Sequence, residues 1–319
     1  MFQNITQAPV IWRLLNGVIC IYKPAGVSAF TVRKTIVTKL TEELCEMECR
    51  PPGMYVSIEG DTTKEMTVKV EPNLADHPLV VGPRYQPQDL RCVWATYLGK
   101  HSSGVFILGL GNGVNEANNL HKTRPVRTYH ITGKLGLSTD DYFITGKVVE
   151  KSSFKHVRKD KIDRVTASFQ ASHQTKMFDM AGVEPSSQEA YELALNGFIR
   201  ATDKSLPVLY GIKCIKFEPP NFILEVHCVN EYEMYFKTLI HDLGMKLHSN
   251  AVCTSIHCIR HSYFTIADAL LRKHWTLQEV MNNLLSNRNI IKSHTKTKNL
   301  FELDKRYDKD ITNSVQIRK

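Results

Sequence analysis

Two neighbouring cations, Lys100 and His101, follow Gly99 in a predicted loop that precedes an apolar run. Such cations bind the phosphates of nucleic acids, and they occur equally often as solvated loop charges. Arg127 and Tyr129 lie on a later predicted strand, where a tyrosine ring either packs in a half-buried sheet face or stacks on an extruded base. Taken alone, Tyr129 is better explained by packing, and Lys100 and His101 leave phosphate binding and a plain loop role equally open.

Two other groups of residues suggest a metal or a nucleotide cofactor, but their spacing argues against both. A histidine and cysteine cluster matches alternating strand faces better than the paired cysteines of zinc sites; its members are His248, Cys253, His257, Cys258 and His261. The glycines of 109–113 are spaced Gly-x-Gly-x-Gly rather than Gly-x-Gly-x-x-Gly, and no regular βαβ alternation surrounds them. We therefore expect no metal and no cofactor, and a nucleotide-cofactor enzyme would require a parallel sheet.

The composition is that of a basic globular protein. The 319 residues carry a formal net charge of +9, which favours a polyanionic partner such as RNA, although solubility explains part of it. The eight cysteines are scattered and several lie in apolar runs, which favours a reducing compartment over a disulfide framework. No apolar run approaches the roughly 18 residues that a membrane span requires.

The two ends of the chain differ from its middle. The first acidic residue is Glu42, and acid-poor, basic N-termini are typical of mitochondrial import. Residues 1–16 are accordingly predicted to be an N-terminal arm with a possible targeting function. Residues 292–319 hold eight Lys and Arg against four Asp and Glu with little apolar periodicity, so we expect 291–319 to be a basic, mobile tail.

Between these ends, hydrophobic periodicity and turn residues predict a mixed fold of the α/β (α+β) class. Apolar runs closed by Gly and Pro predict strands, and these cover residues 17–22, 104–110, 126–135, 207–217, 222–229, 251–260 and 263–266. Amphipathic stretches predict helices, and these cover residues 28–47, 114–122, 158–170, 186–196 and 230–247. Because the order is irregular, we expect a mixed, largely antiparallel central sheet flanked by helices.

Four segments in the same order resemble motifs of the TruB family of RNA pseudouridine synthases, most closely its short mitochondrial animal branch. They are Lys23-Pro24-x-Gly26-x-Ser28, Leu98-Gly99-Lys100-His101-Ser102-Ser103-Gly104-Val105, Arg127-Thr128-Tyr129, and Phe236-Lys237-Thr238-Leu239. The first motif begins upstream at Gly17 and the resemblance covers about residues 17–270, so we predict a TruB-like domain over 17–290. The C-terminal RNA-binding PUA module of many family members is not recognisable.

The resemblance implies roles for particular positions. In the family an Asp attacks the target uridine, a Tyr packs on its base and an Arg pairs with the Asp; the corresponding residues here are Gly99, Tyr129 and Lys237. Glycine has no side chain with which to attack, and lysine supplies charge without the two-pronged geometry of arginine. The resemblance also predicts RNA contacts at four basic residues, which are Lys23, Lys100, His101 and Arg127.

These implications predict a protein of the mitochondrial matrix that binds mRNA, tRNA or rRNA at a uridine pocket. Because Gly99 replaces the nucleophile, the first hypothesis is little or no isomerase activity and a role as RNA chaperone or assembly factor. The alternative is an active synthase with a displaced carboxylate, for which Asp89 is the first candidate. The two are distinguished by whether an Asp or Glu side chain reaches Tyr129 in the folded protein.

Overall fold

The computed structural model describes residues 6–49, 53–60, 63, 65–195 and 206–294. The helices are α1 (Ala8–Leu14), α2 (Ala29–Glu46), α3 (Pro78–Val81), α4 (Gly113–Thr123), α5 (Lys159–Ala181), α6 (Gln188–Leu195), α7 (Glu233–Lys246) and α8 (277–294). The strands are β1 (Gly17–Lys23), β2 (Met54–Glu59), β3 (Thr67–Pro72), β4 (Cys92–Trp94), β5 (Ser102–Leu110), β6 (Arg127–Leu135), β7 (Leu137–Thr139), β8 (Val148–Lys151), β9 (Val208–Glu218), β10 (Asn221–Val229), β11 (Ala251–His261) and β12 (Phe264–Thr265).

A central sheet dominates the described part of the chain. Its strands run in the order β1-β5-β11-β6-β10-β9, with β4 beside β5 and β12 beside β11. Within the described strands β5 and β11 pair in parallel, and the other neighbours in this sheet are antiparallel. Helix α7 packs on β11, α5 on β9 and α4 on β5. The predicted mixed, largely antiparallel sheet flanked by helices is confirmed, and the sheet is not the parallel one that a nucleotide-cofactor enzyme would require.

The parallel pair sets the position of the loop that contains Gly99. Ser102, the first residue of β5, lies opposite Ile256 of β11, and Gly104 lies opposite Cys258. A Cβ on Gly104 would overlap the backbone of Cys258, and the φ of +112° is one that L side chains rarely adopt. Glycine is therefore required where the two strands come closest, immediately after the loop.

Helix α2 begins where its sequence predicts. The Ser28 hydroxyl accepts a hydrogen bond from the Thr31 amide at 3.1 Å, which satisfies an amide that the first turn leaves unpaired. Val32, Ile36 and Leu40 recur at helical spacing and are buried against the sheet. Helix capping and apolar spacing thus determine both the start of the helix and the face that it buries.

Helix α8 covers the exposed edge of β1. The side-chain oxygen of Asn283 accepts a hydrogen bond from the Cys20 amide at 2.9 Å, and the Asn287 amide group donates to the Val18 carbonyl at 3.0 Å. Both asparagines are buried. They satisfy backbone groups that an uncovered edge strand would leave free to pair with another chain.

The ends of the chain differ in part from the prediction. Residues 8–14 of the predicted arm form α1, whose Ala8 and Ile11 are buried in the same core as the sheet. Residues 291–294 of the predicted tail continue α8, and 295–319 lie outside the described residues. Apolar contacts, which sequence composition alone does not reveal, join α1 to the domain. None of the described helices combines the length and apolar content that a bilayer crossing needs.

Candidate functional site

A cavity of about 380 Å³ opens between three segments of the fold. They are the loop 96–102 that leads into β5, the start of β6 at 124–129, and the connection from β10 into α7 at 229–236. Gly99, Arg127 and Tyr129 lie on its wall as the sequence predicts, and Glu231 and Glu233 join them. The fold therefore places two carboxylates in the pocket that the predicted motifs build.

Glu233 fills the space that a side chain at position 99 would occupy. A Cβ built on Gly99 would overlap Glu233 Oε2 and would lie 2.8 Å from the Glu233 Cβ. Carbon atoms do not approach this closely, so the two positions cannot both carry a side chain without movement. Glycine at 99 is therefore required by packing in this pocket.

His101 and Lys237 hold the Glu233 carboxylate in place. The backbone amide of His101 donates to Glu233 Oε2 at 2.8 Å, and its ring Nδ1 lies 2.5 Å from Oε1. Lys237 Nζ is 3.6 Å from Oε1, one helical turn along α7, and equally 3.6 Å from Asp141. The loop turns the imidazole of His101 towards α7, where it contacts Glu233; an RNA contact of His101 stays a prediction. Lys237, at the position where the family has an Arg, thus lies near one carboxylate of its own helix and a second one, Asp141, from outside it.

These contacts keep Glu233 charged. Burial opposes ionisation of its carboxyl group, but the hydrogen bonds from the side chain and backbone of His101 outweigh this effect. The pKa of Glu233 is consequently lower than its ordinary value. The pocket therefore contains an ionised carboxylate at neutral pH, with 18% of its side-chain surface exposed.

The second carboxylate, Glu231, belongs to a buried ion pair. Its Oε1 contacts Arg127 Nε and accepts a hydrogen bond from the Tyr129 hydroxyl at 2.7 Å. Burial raises the pKa of Glu231 even though the guanidinium of Arg127 lowers it. Arg127 is only 6% exposed and positions this carboxylate; its contact with RNA stays a prediction.

Tyr129 lies in the pocket wall but does not offer a free ring face. The residue is 1% exposed, its ring packs on Phe236 with centroids 4.6 Å apart, and the Arg127 guanidinium lies 5.7 Å from the ring centroid. A base that stacked on this ring would have to displace one of these neighbours. In this structure the Tyr129 ring contacts Phe236 and its hydroxyl binds Glu231, and stacking on a base stays a prediction.

Exposed aromatic rings are present at the mouth of the same pocket. Tyr97 and Tyr232 line it and are 51% and 56% exposed. Arg124 donates to the Asn230 side chain at 3.0 Å across the opening, and both residues have positive φ values. Strained backbone of this kind persists where the surrounding structure enforces it, often at binding sites.

Lys23 is a structural residue. It is fully buried, and its ammonium group donates to the carbonyls of Ser102, Pro24 and Lys100 at 2.7, 3.1 and 3.4 Å. Burial lowers its pKa to about 8. These three contacts tie β1 to the loop that carries Gly99, and an RNA contact of Lys23 stays a prediction.

Lys100 and Asp89 lie outside the pocket wall. Lys100 is exposed at the turn beside Gly99, where a phosphate contact stays a prediction. Asp89, the first candidate for a displaced carboxylate, is exposed and accepts a hydrogen bond from the Gln86 amide at 3.1 Å. It caps its own turn and does not line the cavity, so Glu231 and Glu233 replace it as candidates.

Sequence reasoning missed both glutamates, although one signal was present. Glu233 and Lys237 are spaced i and i+4, the spacing at which opposite charges meet on one face of a helix. Acidic residues in the first turn of a helix are usually attributed to the helix dipole, so the role of Glu233 in the pocket was not recognised.

Within the described residues no group of three or more His, Cys, Asp or Glu is arranged to hold a metal ion.

Comparison with known proteins finds a family model and relatives that match the part of the chain that forms this pocket. The family model described as TruB family pseudouridylate synthase (N terminal domain) matches residues 92–234, which include the three pocket segments apart from 235–236. A Xenopus tropicalis protein named mitochondrial pseudouridylate synthase TRUB2 is 36% identical over 280 residues, covering 86% of each chain. The human protein of the same name is 34% identical over 275 residues, covering 84% of this chain and 82% of its own.

Solved structures with a similar fold include RNA-protein complexes. One is an H/ACA RNP bound to a substrate RNA containing 2'-deoxyuridine, with 15% identity and a TM-score of 0.46 over 83% of this chain and 54% of the other. Another is an archaeal box H/ACA sRNP complex, with 13% identity and a TM-score of 0.46 over 84% of this chain and 55% of the other. This chain spans about half the length of those two chains.

Proposed function

Because this chain belongs to the TruB family of pseudouridylate synthases, we propose that it takes a uridine out of a mitochondrial RNA and holds the base in the pocket beside Gly99. Its location is mitochondrial, as for the TRUB2 relatives, and RNA is its partner; the matrix and the choice among mRNA, tRNA and rRNA belong to the proposal. The observation that carries the proposal is the 380 Å³ cavity at the junction of the three motif-bearing segments.

The chemistry of the wall supports a uracil base. Glu231 Oε2 is buried and has no hydrogen-bond partner among the described residues, so a donor that reaches it when the pocket opens would satisfy an acceptor that is costly to leave unmet. Uracil offers a donor, its N3–H, for such an acceptor. A base read in this way must first leave its stack, which costs least for an unpaired nucleotide.

The surroundings of the opening support RNA binding. Tyr97 and Tyr232 present exposed rings on which neighbouring bases can stack. Beyond Tyr97, Arg33 lies over the rings of Phe30 and Trp94, with distances of 5.8 and 5.1 Å to their centroids. Aromatic rings interleaved with cations suit single-stranded or looped RNA.

Binding alone would be sufficient for an RNA chaperone or assembly factor, and this is the role that the absence of a side chain at Gly99 supports. Isomerisation requires a carboxylate near the uridine. Of the candidates in the described chain, Glu231 and Glu233 line the pocket and Asp89 does not. An RNA chaperone or assembly factor and an isomerase would therefore both bind a uridine in this pocket.

Binding of RNA hairpins tests the proposal. We expect a hairpin with an unpaired uridine in its loop to bind more tightly than the same hairpin fully paired. Tyr232→Ala should weaken binding of the looped RNA by about 1–3 kcal/mol, the usual contribution of one stacked base. Tyr191→Ala is the control, because Tyr191 is similarly exposed at 60% on α6 and outside the pocket. Equal losses for both variants, or no preference for the unpaired uridine, would overturn the proposal.

A further inference from the structure

We propose that Glu233 is the catalytic carboxylate of this chain, supplied by α7 to the space that a side chain at position 99 would fill. The inference rests on the proposed uridine site and goes beyond it, because it assigns isomerase activity and a residue that performs it. It replaces both Gly99, which has no functional group, and Asp89, which lies outside the pocket.

The steric relation between the two positions is the first support. Glu233 Oε2 lies where the Cβ of residue 99 would be, so α7 supplies a carboxylate at the place that a side chain at position 99 would fill. The loop that carries Gly99 is itself fixed by Lys23, whose ammonium group binds the carbonyls of Lys100 and Ser102. The overlap is therefore a property of two anchored segments.

The charge arrangement around the carboxylate is the second support. Lys237 lies 3.6 Å from Glu233 and is itself only 6% exposed. The His101 backbone amide and ring add two hydrogen bonds to the two carboxylate oxygens. Each oxygen keeps a further lone pair for a substrate, and the lowered pKa of Glu233 keeps it ionised at neutral pH.

The two pocket glutamates differ in how much of their side chains is exposed. The side chain of Glu231 is 1% exposed, and its Oε1 is held by both Arg127 and Tyr129. The side chain of Glu233 is 18% exposed at the cavity wall. A nucleophile must approach its target within about 3–3.5 Å, which the more exposed Glu233 carboxylate can do without breaking a buried ion pair.

The bonds and protons of the proposed reaction balance with the uridine, the Glu233 carboxylate and water as the only participants. A Glu233 oxygen donates an electron pair to C1′ of the ribose, and the C1′–N1 bonding pair leaves with the uracil ring as an anion. After the ring turns, C5 donates a pair to C1′, and the carboxylate recovers its own pair. C5 then loses its proton to water and N1 takes one up. No oxidant, reductant or second substrate is consumed, and the product is the C5-linked isomer.

Pseudouridine formation in a pool of hairpin RNAs with randomised loops tests the inference, with RNA affinity measured on the same samples. Wild type should convert uridine in the hairpins that it retains. Glu233→Gln, which keeps the size of the side chain and removes its charge, should lower conversion at least a hundredfold while affinity changes less than threefold. Glu279→Gln, at an exposed position of α8, should convert as wild type does.

Moving the carboxylate from position 233 to position 99 provides a second test. Glu233→Ala should be inactive, and adding Gly99→Asp to it should restore part of the conversion, because the space is then free for the new side chain. Wild type that binds hairpins without converting them would overturn the inference and leave the proposed uridine site intact, as would undiminished conversion by Glu233→Gln. Absence of binding by wild type would overturn both proposals.

Discussion

At the scale of single residues, Gly99 and Glu233 form one packing unit. The glutamate occupies the volume of the missing side chain, and His101 and Lys237 surround its carboxylate. A carboxylate introduced at position 99 alone would therefore meet an occupied space. Gly99→Asp by itself is not expected to restore or increase activity, in contrast to what the loss of a nucleophile alone would suggest.

Gly99→Ala tests this packing unit through stability. We expect the variant to lower the free energy of unfolding by about 1–3 kcal/mol, the usual cost of forcing an extra carbon into an occupied site. Most of this loss should disappear in a Glu233→Ala background, giving a clear coupling energy in a double-mutant cycle measured by urea denaturation. The control is Gly211→Ala, where the added carbon has its nearest neighbour at 3.3 Å. Additive losses at 99 and 233 would contradict direct overlap.

The ionisation of Glu233 predicts a pH-dependent contribution to stability. Its folded pKa lies below the ordinary value of 4.5, so the unfolded chain binds more protons in this range and stability rises with pH. The contribution should be complete above about pH 4.5 and disappear as the pH falls through the lower folded value. Urea midpoints of wild type and Glu233→Gln should therefore differ most near neutrality and converge in acid. A difference that is independent of pH would show that the carboxylate is not held as its charged form.

At the scale of elements, α7 contributes residues to the pocket, whereas α8 covers an edge of the central sheet. The start of α7 brings Glu233 to the pocket, and its next turn brings Lys237 to 3.6 Å from Glu233. Helix α8 lies beside β1, the strand at one edge of the central sheet, and Asn283 and Asn287 hydrogen-bond to its backbone. Because β1 leads into the buried Lys23, this cover also supports the loop that carries Gly99.

Asn283→Ala measures the contribution of α8. The substitution leaves the Cys20 amide and the Asp268 carbonyl without the Asn283 side chain, their partner at 2.9 Å in each case. We expect the free energy of unfolding to fall by about 1–3 kcal/mol, the cost of an unsatisfied buried polar group. Asn282→Ala, one residue earlier and exposed, should change it by less than about 0.5 kcal/mol. Equal effects of the two variants in urea denaturation would show that α8 does not seal the edge.

At the scale of the whole molecule, the net charge of +9 predicts RNA binding that weakens steeply with salt, because phosphate contacts release counterions. Lys100→Ala should reduce the slope of log affinity against log salt by about one, if this exposed lysine meets one phosphate. Lys161→Ala, exposed on α5, should leave the slope unchanged. Filter binding over a salt series measures both, and a flat response of the wild type would contradict an electrostatic RNA site.

The sheet and helices were predictable because their signals are local. Ser28 caps α2 and the apolar run of β5 forms a buried strand as their sequences indicate. The meeting of His101 and Glu233, 132 positions apart, depends on how the loop before β5 packs on α7. The burial of Lys23 likewise depends on carbonyls contributed by a distant loop. The motif positions could thus be predicted, whereas the identity of the carboxylate in the pocket required the fold.

A structure of the Glu233→Gln protein bound to a hairpin RNA with one unpaired uridine tests the central claim most directly. The amide slows turnover, so the uridine itself should be seen in the cavity between loop 96–102 and the start of α7. We predict its ribose C1′ within about 3–3.5 Å of the oxygen of the residue 233 side chain. A uridine outside the cavity, or one whose C1′ lies against Glu231 with residue 233 turned away, would contradict the account.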